Sequence, residues 1–239
     1  MYRTRTGFVL LALGVALALG PTPAEGASKF GLSVFGGYES YSMDDVNDAI
    51  QEGNNVFGTS VDDVSSGIGF GAGVKMRTSG PVVLSFDYQR LNASSSGSGD
   101  DGTFGYEVEY SLPANAFVLG ATYLFPSASK TSFGINGGIG YYMADGTLEV
   151  TATELSSGLS ASDETQISGS GVGFHGAAVV DMALSPKMHL DASAGYRIAK
   201  SGDVEFEYSD GTSDTFSDEE IDWSGFMSQV GFTFYFGAE

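Results

Sequence analysis

The sequence predicts an all-β fold, an eight-stranded antiparallel up-and-down barrel that spans a membrane. Apolar residues alternate with small or polar ones along eight segments, and short and long connections join these segments in strict alternation. A period of two is typical of strands whose two faces meet different surroundings. The charged residues of the segments share the small, polar face, so we expect an apolar face towards lipid and a polar face towards the lumen.

The N-terminus predicts an export signal. Arg3 and Arg5 precede an apolar run from Phe8 to Leu19, and small residues follow the run. This run is shorter than the ~20 residues that a membrane-spanning helix needs. We therefore expect a cleaved signal peptide at residues 1–26 and a barrel domain at residues 27–239.

Composition limits the chemistry of the chain. Thirty acidic residues stand against ten basic ones, which excludes a nucleic-acid partner because phosphate binding needs a basic surface. The sequence has no cysteine, so disulfides and thiol chemistry are excluded. No cofactor is expected.

The strands and their connections follow from the alternation. The eight predicted strands are 28–41, 67–77, 82–89, 106–125, 133–142, 172–184, 188–198 and 229–236. Within the fourth strand the apolar positions change parity at Pro113, which predicts a bulge or break at residues 113–115. Ser42 to Asp45 resembles a capping box and predicts a short helix in the connection 42–65. Segments 92–103 and 201–222 are expected as loops, and 145–171 as an extension of a hairpin beyond the membrane.

Aromatic side chains near the strand ends are expected at the two membrane–water interfaces. They are Tyr38, Tyr88, Tyr123, Phe125, Tyr141, Tyr196 and Trp223.

The last strand carries a further signal. Gln229 is followed by Gly231 and then by aromatic residues at Phe234 and Phe236, which resembles the closing signal of bacterial outer-membrane barrels, although three more residues follow here. The whole mature chain resembles the eight-stranded outer-membrane barrel families typified by the OmpA membrane domain. The resemblance implies a cell outer-membrane location, short periplasmic turns, long extracellular loops and contact with the barrel-insertion machinery.

Titratable residues at membrane depth all fall on the polar face. They are Lys75, Arg77, Asp87, Asp181, His189, Asp191 and Arg197. The alternative fold, a secreted lipocalin-like barrel, would point its apolar face inward. We favour the membrane barrel, in which these side chains fill a polar lumen.

Eight strands leave an interior just wide enough for side chains. We therefore expect a structural ionic network that plugs the lumen, rather than a proton or ion path. Lys75 and Arg77 are expected to meet Asp87 across the second hairpin, and Asp181 is expected to lie opposite His189.

An enzyme is not expected. His189, Asp191 and Ser193 share one face of a strand, but such neighbours lie ~7 Å apart, beyond hydrogen-bond reach for a catalytic triad. A lipid-modifying enzyme is kept only as the last alternative.

The long connections, together with the strand extensions next to them, hold 24 of the thirty acidic residues: six, four, five and nine in chain order. This predicts a structural or surface-interaction role, in which the acidic loops gather divalent cations, bridge to lipopolysaccharide or bind a basic partner. The plainer interpretation is solvated, flexible loops. A narrow channel for small or apolar solutes, resembling the OmpW type, is the runner-up, with the Pro113 break as its candidate lateral gap.

Overall fold

A computed structural model describes residues 29–217 and 219–236. The predicted signal peptide and the three residues after Phe236 lie outside the described residues. The elements in chain order are β1 Lys29–Ser40, α1 Asp44–Phe57, β2 Ser66–Arg77, β3 Val82–Leu91, β4 Ser94–Asp100, β5 Phe104–Ser111, β6 Ala114–Leu124, β7 Thr131–Glu154, β8 Ser160–Ala183, β9 Met188–Ala199, β10 Val204–Glu207, β11 Ser213–Phe216 and β12 Gly225–Phe236.

Eight of these strands close into a barrel, which confirms the predicted fold. The order around the ring is β1, β2, β3, β6, β7, β8, β9 and β12, and every neighbouring pair is antiparallel. The ring closes where β12 pairs with β1, from Phe30 opposite Phe236 to Glu39 opposite Met227. Closure leaves the ring itself without an unpaired edge, as a strand structure in lipid requires.

The faces of the wall have the predicted orientation. Along β1, Leu32 and Val34 are exposed on the outside, whereas Ser33 and Glu39 are buried inside. The same pattern along the other strands produces an apolar outer belt. The belt includes Phe30, Leu32, Val34, Ile68, Phe70, Val74, Leu84, Leu119, Phe133, Ile135, Ile139, Val172, Phe174, Ile198, Val230, Phe232, Phe234 and Phe236. A soluble protein rarely exposes a contiguous apolar surface of this extent, so the belt fits acyl chains rather than water.

Six of the seven predicted interfacial aromatics are exposed on the outer surface, as expected. Trp223 is the exception, and the prediction for it is wrong. Its side chain is fully buried, because residues 222–224, at the end of the last long connection, lie in the protein interior, where the Trp223 backbone N–H donates to the Ala199 carbonyl at 2.9 Å.

The four long connections fold together at one end of the barrel. We call this structure the cap and define it as residues 41–65, 92–113, 145–169 and 200–224. It contains α1, the hairpin β4–β5, the outer parts of β7 and β8, and the hairpin β10–β11. β5 pairs with the outer part of β7, and β10 pairs with the outer part of β8, so the cap continues the sheet of the barrel.

The predicted helix is present, but its predicted capping box is not. The residue before the first turn of α1 is Met43, which has a left-handed φ of 48° and makes no side-chain capping hydrogen bond. Met43 is fully buried, and its N–H donates to the Asp222 carbonyl at 3.1 Å. Contact with the fourth long connection therefore fixes the start of the helix.

The parity change at Pro113 has a different cause from the expected bulge. β5 ends at Ser111 and β6 begins at Ala114, so a break in strand assignment is confirmed. The register against β7 nevertheless stays constant, because Ser111 pairs with Thr147 and Ala114 pairs with Ala144. The Asp145 N–H donates to the Pro113 carbonyl at 3.2 Å, so backbone pairing continues at the expected lateral gap.

What changes at Pro113 is the environment of each face. Below it, Phe117 and Leu119 point outward to the belt. Above it, Val108 and Tyr110 point inward and are buried in the cap. The hydrophobic residues thus lie on the outer face below Pro113 and on the inner face above it, although the strand register does not change.

The cap has a hydrophobic interior of its own, which the plainer interpretation of flexible loops did not anticipate. The cluster joins cap residues to the outer end of the lumen. Its members are Tyr41, Met43, Ile50, Val61, Val64, Leu91, Ala93, Val108, Tyr110, Leu112, Ala114, Ala116, Val118, Tyr142, Ala144, Ile167, Ala199, Val204, Ile221 and Trp223. The predicted loop 92–103 is mostly the strand β4, whose run of Ser and Gly residues has no apolar alternation to reveal it.

Among the described residues, no helix has the length and apolar character required to span a membrane.

Candidate functional site: lumen network and acidic cap

At the end of the lumen near the short connections, Arg77 and His189 both hold Asp181. Arg77 Nη2 donates to both Asp181 carboxylate oxygens at 3.0 Å, and His189 Nδ1 lies 3.0 Å from Oδ1. The backbone pairs Asp181 with Asp191 rather than with His189, so the expected register is off by two residues. The two side chains still meet, because His189 is one inward position along the neighbouring strand.

The next layer of the lumen is built around Asp191. Lys75 Nζ lies 2.8 Å from Asp191 Oδ2, and the Thr233 hydroxyl donates to the same oxygen at 2.5 Å. Lys75 and Arg77 therefore reach across the lumen to β9 and β8. The prediction that they pair with Asp87 across the second hairpin is wrong, because closure of the ring brings those strands within reach of long side chains.

The third layer lies at the boundary with the cap. Arg197 Nη1 donates to Glu39 Oε2 at 2.9 Å, and both side chains are almost completely buried, with exposed fractions of 1% and 0%. Arg197 also donates from Nε and Nη2 to the Trp223 carbonyl at 2.9 and 2.8 Å. Gln229 Nε2 completes the layer by donating to Glu39 Oε1 at 3.0 Å.

Glu39 was missing from the predicted network, although its inward parity on the first strand was visible in the sequence. Parity indicates the face of a strand, but it does not indicate which residues meet across a closed ring. All seven predicted lumen residues do lie on the inner face.

A separate polar chain contains the second histidine. His175 Nε2 lies 2.6 Å from Asn136 Oδ1, and Asn136 Nδ2 donates to the Thr122 hydroxyl at 2.8 Å. The chain borders a lumen cavity of about 100 Å³, whose wall also includes Asp87, Asp191 and Ser33.

The three residues considered for a catalytic triad do not form one. His189 contacts Asp181, and Asp191 contacts Lys75 and Thr233. Ser193 lines the cavity. These three residues therefore do not form a serine nucleophile activated by a histidine base.

The four residues of the closing signal divide between the two faces of β12. Phe234 and Phe236 lie in the outer belt with ring centroids 4.9 Å apart. Gly231 packs against Phe35, whose Cβ would lie 2.6 Å from a Cβ at position 231. Gln229 binds Glu39 inside the lumen. In the folded barrel, the signal thus combines lipid-facing aromatics with a close strand contact.

The outside of the cap is acidic. The cap segments contain 24 acidic residues and a single base, Lys200, which is already paired with Glu220 and with Asp222 at 3.2 Å. One groove on the cap is lined by Asp62, Asp63 and Glu109 together with serines 65, 66 and 94–96. In the described part of the chain, no three His, Cys, Asp or Glu side chains are grouped as metal ligands.

One cap carboxylate is fixed by backbone hydrogen bonds. Asp101 Oδ1 accepts hydrogen bonds from the N–H groups of Phe104 and Thr103, both at 2.8 Å, at the turn between β4 and β5. These two bonds hold the pKa of Asp101 below its ordinary value. The ionised carboxylate therefore supports the turn.

Comparison with known proteins shows similarity in structure only. No protein-family model matches the chain, and no curated protein matches it. Among solved structures, a major outer membrane protein from Thermus thermophilus is 13% identical with a TM-score of 0.51, covering 88% of this chain and 100% of that one. The N-terminal β-barrel domain of Pseudomonas aeruginosa OprF is 11% identical with a TM-score of 0.43, covering 87% and 97%. Neisserial surface protein A is 14% identical with a TM-score of 0.40, covering 90% and 100%.

The closed ring, the apolar belt and the likeness to the Thermus protein agree with the predicted resemblance. The chain has the fold of bacterial outer-membrane β-barrels, here with eight strands, and the outer membrane is the location that this fold indicates.

Proposed function

We propose that this protein is a non-enzymatic outer-membrane barrel whose folded acidic cap faces the outside of the cell and binds cationic partners. The observation that carries the proposal is the make-up of the cap, which combines a packed apolar interior with 24 acidic residues and one paired base. Flexible acidic loops would serve solubility alone, whereas a folded acidic surface presents its charges in fixed positions.

The groove lined by Asp62, Asp63 and Glu109 is the proposed contact surface. Ser95 Oγ donates to the Asp62 carbonyl at 2.5 Å, and Gln51 Nε2 donates to the Asp63 carboxylate at 3.0 Å, so both walls are held in place. A partner with several lysine or arginine side chains complements this surface in charge.

The test uses the protein in lipid nanodiscs and a fluorescent oligolysine peptide. We expect binding that weakens steeply as salt is raised, because exposed charges are screened. The variant D62N/D63N/E109Q should bind several-fold more weakly. The matched control D210N/D214N/E207Q removes as many charges from the β10–β11 hairpin and should bind nearly as well as the wild type. Absence of binding at low salt would reject the proposal. An equal loss of affinity in both variants would show that the net charge of the cap, and not this groove, accounts for the binding.

The proposed orientation needs its own measurement. Protease added to intact cells should cut the cap at its exposed hairpin tips and leave the barrel. A cap protected in whole cells and cut only after the outer membrane is opened would place it on the periplasmic side and overturn this part of the proposal.

Other partners follow from the same surfaces. Outer-membrane lipid surrounds the belt, the closing signal on β12 engages the barrel-insertion machinery, and divalent cations bridge cap acids to anionic lipopolysaccharide. Calorimetry with Ca²⁺ at physiological salt checks the last of these: heat that is lost in D62N/D63N/E109Q supports it, and no heat rejects it.

A lumen that does not conduct belongs to this proposal. The support is the three layers of charged contacts together with the apolar cluster that spans the outer end of the barrel. Recording in planar bilayers distinguishes it from a narrow channel: a stable, large conductance would favour the channel instead.

A further inference from the structure

Four buried side-chain polar atoms lack a hydrogen-bond partner among the described residues. Arg77 Nε and Trp223 Nε1 lie in other layers, whereas the other two atoms lie in one row of the lumen wall. Ser33 on β1 pairs with Gly73 on β2, and Gly73 pairs with Asp87 on β3. Ser33 Oγ and Asp87 Oδ1 are these two atoms. Both residues line the lumen cavity of about 100 Å³. A buried polar atom without a partner is costly, so the pair calls for a ligand between them.

Gly73 makes room for the Asp87 carboxylate, because it has no side chain. A Cβ at position 73 would lie 2.0 Å from Asp87 Oδ1, so any other residue there would displace the carboxylate. Adjacent strands lie about 4.8 Å apart, so β1 and β3 stand about 10 Å apart across the glycine. Because Asp87 Oδ1 lies over Gly73, only part of this gap separates it from Ser33, and one ion between them can contact both side chains.

Asp87 differs from the other lumen carboxylates because no Lys or Arg side chain of the described residues forms an ion pair with it. The three lumen bases each hold a different carboxylate, at 2.8 to 3.0 Å, in the layers described above. Asp87 forms no ion pair within the described residues. Its nearest base in the cavity wall, Lys75, is already bound to Asp191, which also accepts the Thr233 hydroxyl. The ionised form of Asp87 would therefore lack a counter-charge in this wall, which is strongly unfavourable without a bound cation.

We propose that this cavity binds one monovalent metal cation, such as Na⁺, between Asp87 and Ser33. Side-chain oxygens dominate that wall, since Ser85 and Gln89 flank Asp87 on the inner face of β3. Oxygen ligands suit hard cations. A single uncompensated charge selects a monovalent ion, because a divalent ion would leave the site with a net positive charge beside Lys75.

The direct test is crystallography of the full chain with thallium(I), an anomalous scatterer that replaces alkali cations. We expect an anomalous peak in contact with the Asp87 carboxylate and Ser33 Oγ, and no peak there in crystals of D87N. Density without anomalous signal in the wild type, together with no sodium-dependent gain in Tm, would assign the position to water and overturn the proposal.

A second measurement does not need crystals. Thermal unfolding is compared in sodium chloride and in choline chloride at equal concentration, because choline is too large for the cavity. Sodium should raise Tm of the wild type by about 2–4 °C if the site is mostly filled. The gain should vanish in D87N and shrink in S33A, and it should persist in the control S193A, which alters another residue of the same wall. Equal Tm values in the two salts for the wild type would overturn the proposal, as would an unchanged sodium gain in both D87N and S33A.

Discussion

The barrel and the cap share one continuous sheet, but its hydrophobic residues lie on the outer face in the barrel and on the inner face in the cap. In the barrel, Leu119 and Ile139 face outward and the ion pairs lie inside. In the cap, Val108 and Ile167 lie inside and the acids lie outside. β7 passes through both regions without a shift in register, since its pairing with β8 is continuous from Thr131 to Thr153. The surrounding medium, and not the backbone, therefore decides which face of a strand carries the hydrophobic residues.

The comparison also separates two ways of burying charge. The barrel buries most of its charged groups in pairs, because its wall strands face lipid on the outside. The cap keeps most of its charges in water and buries apolar groups, as a soluble domain does. Substitutions that exchange these strategies should have their largest effects where no water can reach.

The largest effect is expected for R197A. Removing the guanidinium leaves Glu39 buried without its counter-charge and the Trp223 carbonyl without two donors. We expect a loss of about 3–5 kcal/mol in the free energy of unfolding. Urea unfolding followed by the fluorescence of Trp223, the single tryptophan of the chain, measures it.

The double variant R197M/E39L is the control for R197A. It removes both charges and keeps apolar volume, so it should unfold with a smaller loss than R197A alone. A double variant less stable than R197A would show that the pair contributes more than the cost of one orphaned charge.

The next effect concerns the cap interior. Ile50 on α1 is 1% exposed, and I50A should cost about 2–5 kcal/mol of cap stability through the cavity it creates. Limited proteolysis should then cut the cap faster while the barrel keeps its fold. On the same helix, Val56 is 67% exposed, so V56A should change the cutting rate little. Loss of the barrel together with the cap in I50A would contradict this expectation and show that the barrel depends on the packed cap.

A matched pair of arginine substitutions tests the boundary between lipid and water. Leu119 in the middle of β6 and Leu159 at the tip of the β7–β8 hairpin are both exposed, at 59% and 72%. L119R should cost about 2–4 kcal/mol, because the charge enters the acyl layer. L159R should stay within about 0.5 kcal/mol, because the tip lies in water. Refolding titrations in lipid vesicles compare the two, and equal costs would reject the assignment of the belt to lipid.

The smallest expected effect is a pH dependence at the β4–β5 turn. The hydrogen bonds from Phe104 and Thr103 lower the pKa of Asp101 in the folded state, so their contribution is present above the ordinary carboxyl pKa. It is lost as the pH falls through the lowered value. Hydrogen exchange at the Thr103 and Phe104 amides should accelerate, relative to neighbouring amides, only in that acidic range. D101A should show fast exchange at every pH.

The barrel could be predicted from the sequence, but few of the side-chain contacts across its lumen could. Alternation predicted the eight wall strands, their inner and outer faces and the inward position of all seven lumen residues, because a period of two is local. The partners of Lys75 and Arg77 depend on how the ring closes, which no local pattern contains. For the same reason Glu39 was visible on the inner face but could not be matched to Arg197.

The cap was only partly predictable, for a related reason. Val108 and Tyr110 alternate with charged residues, as Leu148 and Val150 do, and the parity of both pairs is that of the lumen face. This shared parity was the sequence signal that indicates a hydrophobic interior in the cap. Strand β4 gives no such signal, since Ser and Gly residues form it by pairing with β5 rather than by their own preference.

The unbroken length of β7 and β8 has a mechanical consequence. Residues 145–154 of β7 continue past the last residue paired with β6, which adds about 30 Å measured along the strand. Because the same pair of strands continues into the barrel wall, a force applied to the hairpin tip would be transmitted to the barrel. No flexible connection between the tip and the wall would absorb it. The hairpin would act as a short rigid spacer that holds a molecule bound at its tip at a fixed distance from the membrane.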